Sequence, residues 1–119
     1  MTDPSCIFCK IARGEIPAKK LFEDDDVMAF HDIRPQAPVH FLLVPKAHVA
    51  TLYDAQAAHQ QALGKMLAVA GRLAREAGAS EGFRSIINTG RVGHQEVYHV
   101  HMHVLGGPEP LGPMLQRRK

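Results

Sequence analysis

No stretch of this 119-residue sequence is apolar over the length needed to span a bilayer, which excludes a transmembrane helix. An excess of one charge is also missing. Fourteen basic residues against 12 acidic ones leave a net charge of +2, enough to suit a small anionic ligand and too little for a nucleic-acid footprint. Neither a membrane nor a nucleic acid is therefore an expected partner. Internal repeats, linkers and low-complexity segments are absent, and the length fits a single domain over residues 1–119. The opening residues Met1-Thr2-Asp3-Pro4-Ser5 lack a basic region followed by an apolar stretch, so no secretion signal is expected and a cytoplasmic location follows by default. The basic end Arg117-Arg118-Lys119 reads as a solvated tail.

Cysteine is scarce. The two present, Cys6 and Cys9, sit in one Cys-x-x-Cys unit, a spacing that in a cytosolic chain points to half of a metal site or a redox pair more than to a structural disulfide. A redox pair is expected at a helix start within a βαβ pattern, whereas here the unit opens the chain. Two small buried hydrophobes are the plain alternative.

What the sequence has in abundance is periodic apolar structure. Cys6 to Arg13 reads as a short helix with Ile7, Phe8 and Ile11 on one side and Gly14 stopping it. Lys20–Glu23 and Val27–Asp32 read as strands of a hairpin turned by Asp24, Asp25 and Asp26. The run His40-Phe41-Leu42-Leu43-Val44, closed by Pro45, is the candidate central strand. From Asp54 to Ala77, Leu63, Met66, Leu67, Ala70, Leu73 and Ala74 recur at helical spacing and predict one long helix stopped by Gly78. Gly64 and Gly71 each weaken that helix by about 1 kcal/mol, which fits a close approach by another backbone, such as a second subunit, or simply tolerated glycines. Phe83–Asn88 reads as a strand, Thr89–Glu96 as a loop, and Tyr98–Leu105 as the last strand before an extended, proline-containing tail from about residue 106. The expected fold is α+β: a meander-like antiparallel sheet of about five strands with one long and one short helix.

The most informative segment is Tyr98-His99-Val100-His101-Met102-His103-Val104-Leu105. Alternation on a strand aligns the three imidazoles on one face and Val100, Met102 and Val104 on the other. One strand cannot gather all three around one ion: His99 and His103 would have backbones about 13 Å apart at a rise of roughly 3.3 Å per residue. Neighbouring histidines two apart can share a metal, three solvated histidines are the bland alternative, and a division of labour between a metal or supporting role and imidazole chemistry fits best. Neutral imidazole is both a nucleophile and a proton carrier near pH 7. With no Ser or Cys nucleophile in a recognisable setting, phosphoryl-type transfer is the expected reaction, His101 attacking from the middle and His103, His40, Asn88, Gln95 and loop amides flanking it.

These eight residues match the His-x-His-x-His-x-x signature of the histidine triad superfamily. The match continues through Glu15-Ile16-Pro17-Ala18-Lys19, Ala29-Phe30-His31-Asp32-Ile33, Pro35-Gln36-Ala37-Pro38-Val39-His40-Phe41, Val44-Pro45-Lys46-Ala47-His48, Asn88 and Leu111-Gly112-Pro113-Met114-Leu115. It covers nearly the whole chain and resembles the Hint branch in its bacterial form. The resemblance implies a homodimer with the sheet continued across the interface, a purine nucleotide in a cleft on each protomer, and hydrolysis of nucleoside 5′-phosphoramidates at the P–N bond. It implies His101 as the nucleophile forming a nucleotidyl-imidazole, His103 as phosphate ligand and proton handler, and His40 as its support. By the same resemblance Asp32 accepts the ribose hydroxyls, Asn88 holds the phosphate, and Ile7, Phe8, Ile11, Phe30, His31, Ile33 and Leu42 line the base and ribose pocket. It further implies a four-coordinate structural zinc held by Cys6, Cys9, His48 and His99. Animal members without the cysteines show that such a zinc is not required for the reaction.

Two positions depart from the animal members of that branch. Glu96 stands where they place a serine, and His94 replaces a small glycine in the same loop. Phosphate contact is then left to the backbone amides of Gln95, Glu96 and Val97. The Glu96 carboxylate is either solvated or faces the substrate, where it would favour a cationic leaving amine. His59 reads as exposed helix surface and His31 as a pocket wall. The rival readings are a dinucleoside polyphosphate hydrolase or nucleotidyl transferase of the same superfamily, branches that commonly place glutamine near the third histidine, and a non-catalytic nucleotide-binding interaction module.

Overall fold

The structure, a computed structural model, describes residues 3–115; the basic end Arg117-Arg118-Lys119 lies outside them. Five strands form one antiparallel sheet: β1 (Lys20–Glu23), β2 (Val27–His31), β3 (Val39–Pro45), β4 (Phe83–Ile86) and β5 (Met102–Gly106), in the spatial order β1-β2-β3-β5-β4. The first three strands run as a meander. The last two are exchanged, so that the strand ending the histidine segment lies inside the sheet against β3 and β4 takes the edge.

All seven residues of β3 are buried, because helices cover both faces of the sheet at its centre. Alternate residues part accordingly. Val39, Phe41 and Leu43 join Met102 and Val104 of β5 and Met66, Ala70, Leu73 and Ala74 of the long helix α2 (Gln60–Ala77) in one core. Leu42 and Val44 join Met28 and Phe30 of β2 and Phe8, Cys9 and Ile11 of the short helix α1 (Ile7–Ala12) in a second. The reactive face of the sheet is therefore the α1 face.

The hairpin between β1 and β2 forms as expected, with Asp24 Oδ1 accepting from the amides of Asp26 and Val27. Helix α1 begins with Cys6 as its N-cap, the thiol accepting from the Cys9 amide at 3.4 Å. Gly78 ends α2 at φ 115°, a left-handed conformation that favours glycine. The long helix starts six residues later than its apolar spacing predicts. Thr51 and Asp54 cap each other around the 3-10 turn Leu52–Asp54, and a second turn, Ala57–His59, follows. His59 is thus not helix surface: its Nδ1 accepts from the Gln56 amide at 2.9 Å and caps that turn. No second backbone closes on Gly64 or Gly71 within the protomer; a Cβ at Gly64 would meet nothing within 4 Å.

The largest difference from expectation concerns the last strand, which begins at Met102 rather than Tyr98. Met102 is paired with Leu43, and the ladder stops there. Further pairing would bring the earlier residues beside Pro45, which has no N–H to offer, and the Pro45 carbonyl instead takes the His99 side chain. Val100 turns its N–H to the Val49 carbonyl at 2.7 Å. His99 and His101 therefore stand on an extended lead-in, and His103 alone belongs to the sheet. Strand β4 likewise ends at Ile86, leaving Asn88 beyond it. After Gly106 the described tail contains neither helix nor strand, as its prolines predict.

Candidate active site and metal cluster

A cleft of about 980 Å³ opens on the α1 face. Helix α1 supplies Ile7, Phe8 and Ile11, β2 and the turn after it supply Phe30, His31, Asp32 and Ile33, and β3 supplies His40 and Leu42. All of the expected pocket-wall residues are brought together. Ile33 is 93% exposed and forms a lip rather than a floor. Ile16, Pro17, Ala18 and Lys19, from the irregular segment before β1, and Pro35 and Pro38 complete the wall. Sequence reasoning did not assign these to the site, since no periodicity marks an irregular segment as facing a ligand; the prolines were the available signal.

His40 lines the cleft, whereas His103 and His101 are not among its lining residues; His103 lies beside His40 and His101 beside His103, and their hydrogen bonds decide which nitrogen carries each proton. The Gln36 amide donates to His40 Nδ1 at 3.0 Å, so that nitrogen is a bare acceptor and the proton of neutral His40 lies on Nε2. His40 Nε2 is 3.0 Å from His103 Nδ1 and donates to it. His103 is thereby set with its proton on Nε2. His101 Nδ1 lies 2.8 Å from the carbonyl oxygen of His99, which can only accept, so Nδ1 carries the proton and Nε2 presents a lone pair. The His101 and His103 rings meet edge to face with centroids 5.1 Å apart. Burial, followed by the neighbouring His101 and His40, holds His103 below the usual imidazole range, so it stays a neutral donor at pH 7. Asp32 Oδ2 is 3.5 Å from His40 Nε2, while Oδ1 accepts from the Arg34 amide at 2.7 Å.

A second cluster lies behind the first. Cys6 Sγ, Cys9 Sγ, His48 Nδ1 and His99 Nδ1 all fall within 4.8 Å of one another. Cys6 Sγ is 3.2 Å and Cys9 Sγ 3.6 Å from His99 Nδ1, and His48 Nδ1 is 3.3 Å from it. Burial lowers the His99 pKa to about 4 and raises that of the Cys9 thiol. His99 Nε2 donates to the Pro45 carbonyl at 2.7 Å, leaving Nδ1 bare toward the thiols. A ligand histidine whose other N–H is held by a carbonyl is the usual support of a metal-binding imidazole. These four residues could hold a metal ion.

Asp32, His40 and His103 also gather their polar atoms within 4.8 Å. The same reasoning turns the other way there. His40 uses Nδ1 as an acceptor, so its Nε2 is a donor and has no lone pair for an ion without loss of the Gln36 bond. Chemically the outer cluster is a hydrogen-bond chain that ends in the N–H donor at His103 Nε2, with the bare Nε2 of neighbouring His101 outside the chain.

Of the remaining expected site residues, none of Asn88, Gln95, Glu96 and Val97 lines the cleft. Asn88 is half-buried and bonds to no histidine among the described residues. The Gln95 amide, expected to face a phosphate, is engaged by the Gly90 carbonyl at 3.0 Å, which removes it from that role. The Glu96 carboxylate is 81% exposed and 3.7 Å from the equally open His94 ring.

Known proteins resemble this chain over most of its length. The HIT domain family matches residues 13–109. The purine nucleoside phosphoramidase of Escherichia coli K12 is 53% identical over 113 residues, 94% of each chain. Protein HitA of Neisseria gonorrhoeae is 48% identical over 87% of this chain and 97% of its own. The crystal structure of a HIT family hydrolase from Legionella pneumophila superposes with a TM-score of 0.85 at 49% identity, covering 92% of this chain and 98% of that one. A histidine triad protein from Clostridium difficile gives 0.87 at 44% identity, over 95% and 99%. By the match over residues 13–109 and by these identities, the chain belongs to the HIT domain family.

Proposed function

We propose that this protein is a hydrolase that cleaves purine nucleoside 5′-phosphoramidates at the P–N bond through a nucleotidyl-histidine intermediate. The observation that carries this reading is the bare Nε2 of His101, fixed by the bond from Nδ1 to the His99 carbonyl, next to the protonated Nε2 of His103. The phosphoramidase activity named for the E. coli relative supports it.

Base and ribose enter the apolar cleft, with Asp32 accepting the ribose hydroxyls and His31 forming part of the wall. His101 Nε2 attacks phosphorus; the Nε2–P bond forms as the P–N bond breaks, and the amine leaves with a proton taken from water at the cleft mouth. His103 Nε2–H and the Glu96 and Val97 amides hold the phosphoryl oxygens where negative charge gathers, with Asn88 assisting at the phosphate. His40 is not the proton source, since its Nδ1 is kept bare by the Gln36 amide. It sets the tautomer of His103. Water then attacks phosphorus: the O–P bond forms as the Nε2–P bond breaks, the proton released by that water neutralises the hydroxide left by the first step, and the nucleoside monophosphate leaves with His101 restored.

The Cys6, Cys9, His48 and His99 cluster is the proposed site of a structural zinc. A tetrahedral ion with bonds of about 2.3 Å to sulfur and about 2.0–2.1 Å to nitrogen has ligand atoms roughly 3.3–3.8 Å apart, and the measured separations of 3.2 to 3.6 Å suit it. Four protein ligands leave no open position, so its chemistry there would be to fasten α1 to the His99 segment. Thiol ligands accord with a reducing, cytoplasmic setting; no helix among the described residues is long and apolar enough to cross a membrane.

A homodimer with the sheet continued through the β4 edge is supported by Leu67 on α2, 65% exposed, and Phe83 on β4, 40% exposed. Residues 1–119 are read as one domain with an extended tail from about 106.

The test is incubation with adenosine 5′-phosphoramidate and, separately, a dinucleoside polyphosphate, with His101→Ala as control. Release of AMP and ammonia from the first by the wild type, and not by the variant, is the expected result. Preferred cleavage of the polyphosphate moves the protein to the rival branch. No cleavage of either leaves a nucleotide-binding module, and full activity in the variant overturns the nucleotidyl-histidine intermediate on His101.

A further inference from the structure

The loop between β4 and β5 is built around one buried carboxamide. Gln95 is 7% exposed, and its side chain uses both ends: Oε1 accepts from the Gly90 amide at 2.9 Å, and Nε2 donates to the Ala50 carbonyl at 2.8 Å and the Val97 carbonyl at 2.9 Å. Its own N–H donates to the Gly90 carbonyl at 3.0 Å. The bond to Ala50 ties the loop to the segment carrying His48, and the Val100 amide on the Val49 carbonyl extends that tie toward His101.

The loop is also conformationally demanding. His94 takes φ 64°, the left-handed region a non-glycine residue rarely adopts, and a Cβ on Gly93 would come 2.4 Å from the Thr89 carbonyl oxygen. Such conformations persist where their surroundings over-determine them, and they gather at working sites. What leaves the loop is the approach to the reactive histidines. Val97 packs against the apolar cluster of Phe8, Phe30 and Leu42 that floors the cleft, and the charge of Glu96 acts on His103. The Glu96 and Val97 amides find no acceptor among the described residues.

We infer that Gln95 is a positioning residue for the reaction proposed above: its carboxamide closes residues 90–97 into a rigid loop that holds the Glu96 and Val97 amides and His101 in one arrangement around the phosphoryl group. This deepens the phosphoramidase reading and rests on it. Donors that are fixed in place before charge develops act in the transition state more than on the bound substrate. The effect of Gln95 therefore belongs in kcat.

Gln95→Glu keeps the size and the acceptor for Gly90 but turns both donors into a carboxylate oxygen facing two carbonyls. With adenosine 5′-phosphoramidate, kcat is expected to fall by about 10²-fold while KM and the AMP dissociation constant stay within about 2-fold. The activity ratio of variant to wild type should rise as pH is lowered, because the protonated carboxyl regains one donor. Gln95→Met, similar in volume and uncharged, serves if the glutamate variant does not fold, with the same kcat-specific loss expected and no rescue at low pH. A kcat within about 2-fold of wild type in a folded variant, or equal losses in kcat, AMP affinity and melting temperature, overturns the positioning role. Absence of turnover by the wild type overturns the phosphoramidase reading instead and this inference with it.

Discussion

The Phe8 ring lies edge-on to His101 with centroids 5.2 Å apart, and it meets His99 in the same way at 5.7 Å. One aromatic side chain on a six-residue helix thus touches a candidate metal ligand and the candidate nucleophile together. A helix this short has little stability of its own. Its place is set by its two cysteines on one side and its apolar residues on the other.

The cluster that anchors it is expected to retain zinc. Protein purified without added metal should contain about one equivalent by elemental analysis, and Cys9→Ser should contain none. A site that binds only the folded chain contributes its binding energy to stability, so excess chelator should lower the melting temperature by roughly 5–10 °C. Metal-free wild type with an unchanged melting temperature would count against the site.

Removing the residue that sets the tautomer of His103 should cost catalysis more than binding. His40→Ala is expected to reduce kcat by about 10²-fold in steady-state assays, with KM for adenosine 5′-phosphoramidate changed far less. A large rise in KM alone would assign His40 to substrate binding.

Acid stability should carry the mark of Lys65, whose ammonium bridges Asp24 at 2.8 Å and Asp26 at 2.7 Å and joins α2 to the β1–β2 turn. The Lys65 bond, then the turn amides, lower the Asp24 pKa from 3.8 to about 2. A carboxylate depressed on folding stabilises fully above its unfolded value and loses that contribution as pH falls toward its folded one. Melting curves from about pH 5 to pH 2 should therefore drop less steeply for Lys65→Met than for wild type across the Asp24 window. Parallel curves would show that the pair adds nothing measurable at this half-exposed position.

Assembly is tested on the face that nothing covers. The wild type is expected to sediment as a dimer at equilibrium, and Leu67→Glu, which places a charge on the exposed side of α2, as a folded monomer. An unchanged dimer would put the interface elsewhere.

Much of the site was legible because it is local. The alternation through residues 98–105 marked one reactive face, and Ile7, Phe8 and Ile11 declared a helix side that the structure turns into the cleft wall. The start of α2 was not legible from its apolar spacing, since the Thr51–Asp54 cap and the His59 cap break the segment by side-chain hydrogen bonds that periodicity does not register. The role of Gln95 was hidden for a related reason. Its partners include Ala50, 45 residues away, so a residue that looked like a phosphate contact is held inside its own loop.

The sequence by itself determined that three histidines face one way and that two cysteines precede a short amphipathic helix, because side-chain direction follows from backbone period. Only the tertiary structure decided their division. Cys6 reaches His99 across 93 residues and His40 reaches His103 across 63, and the carbonyls of Pro45 and His99 assign the protons on His99 and His101. Which nitrogen is bare depends on the hydrogen bond made by the other, and those partners are neighbours in space.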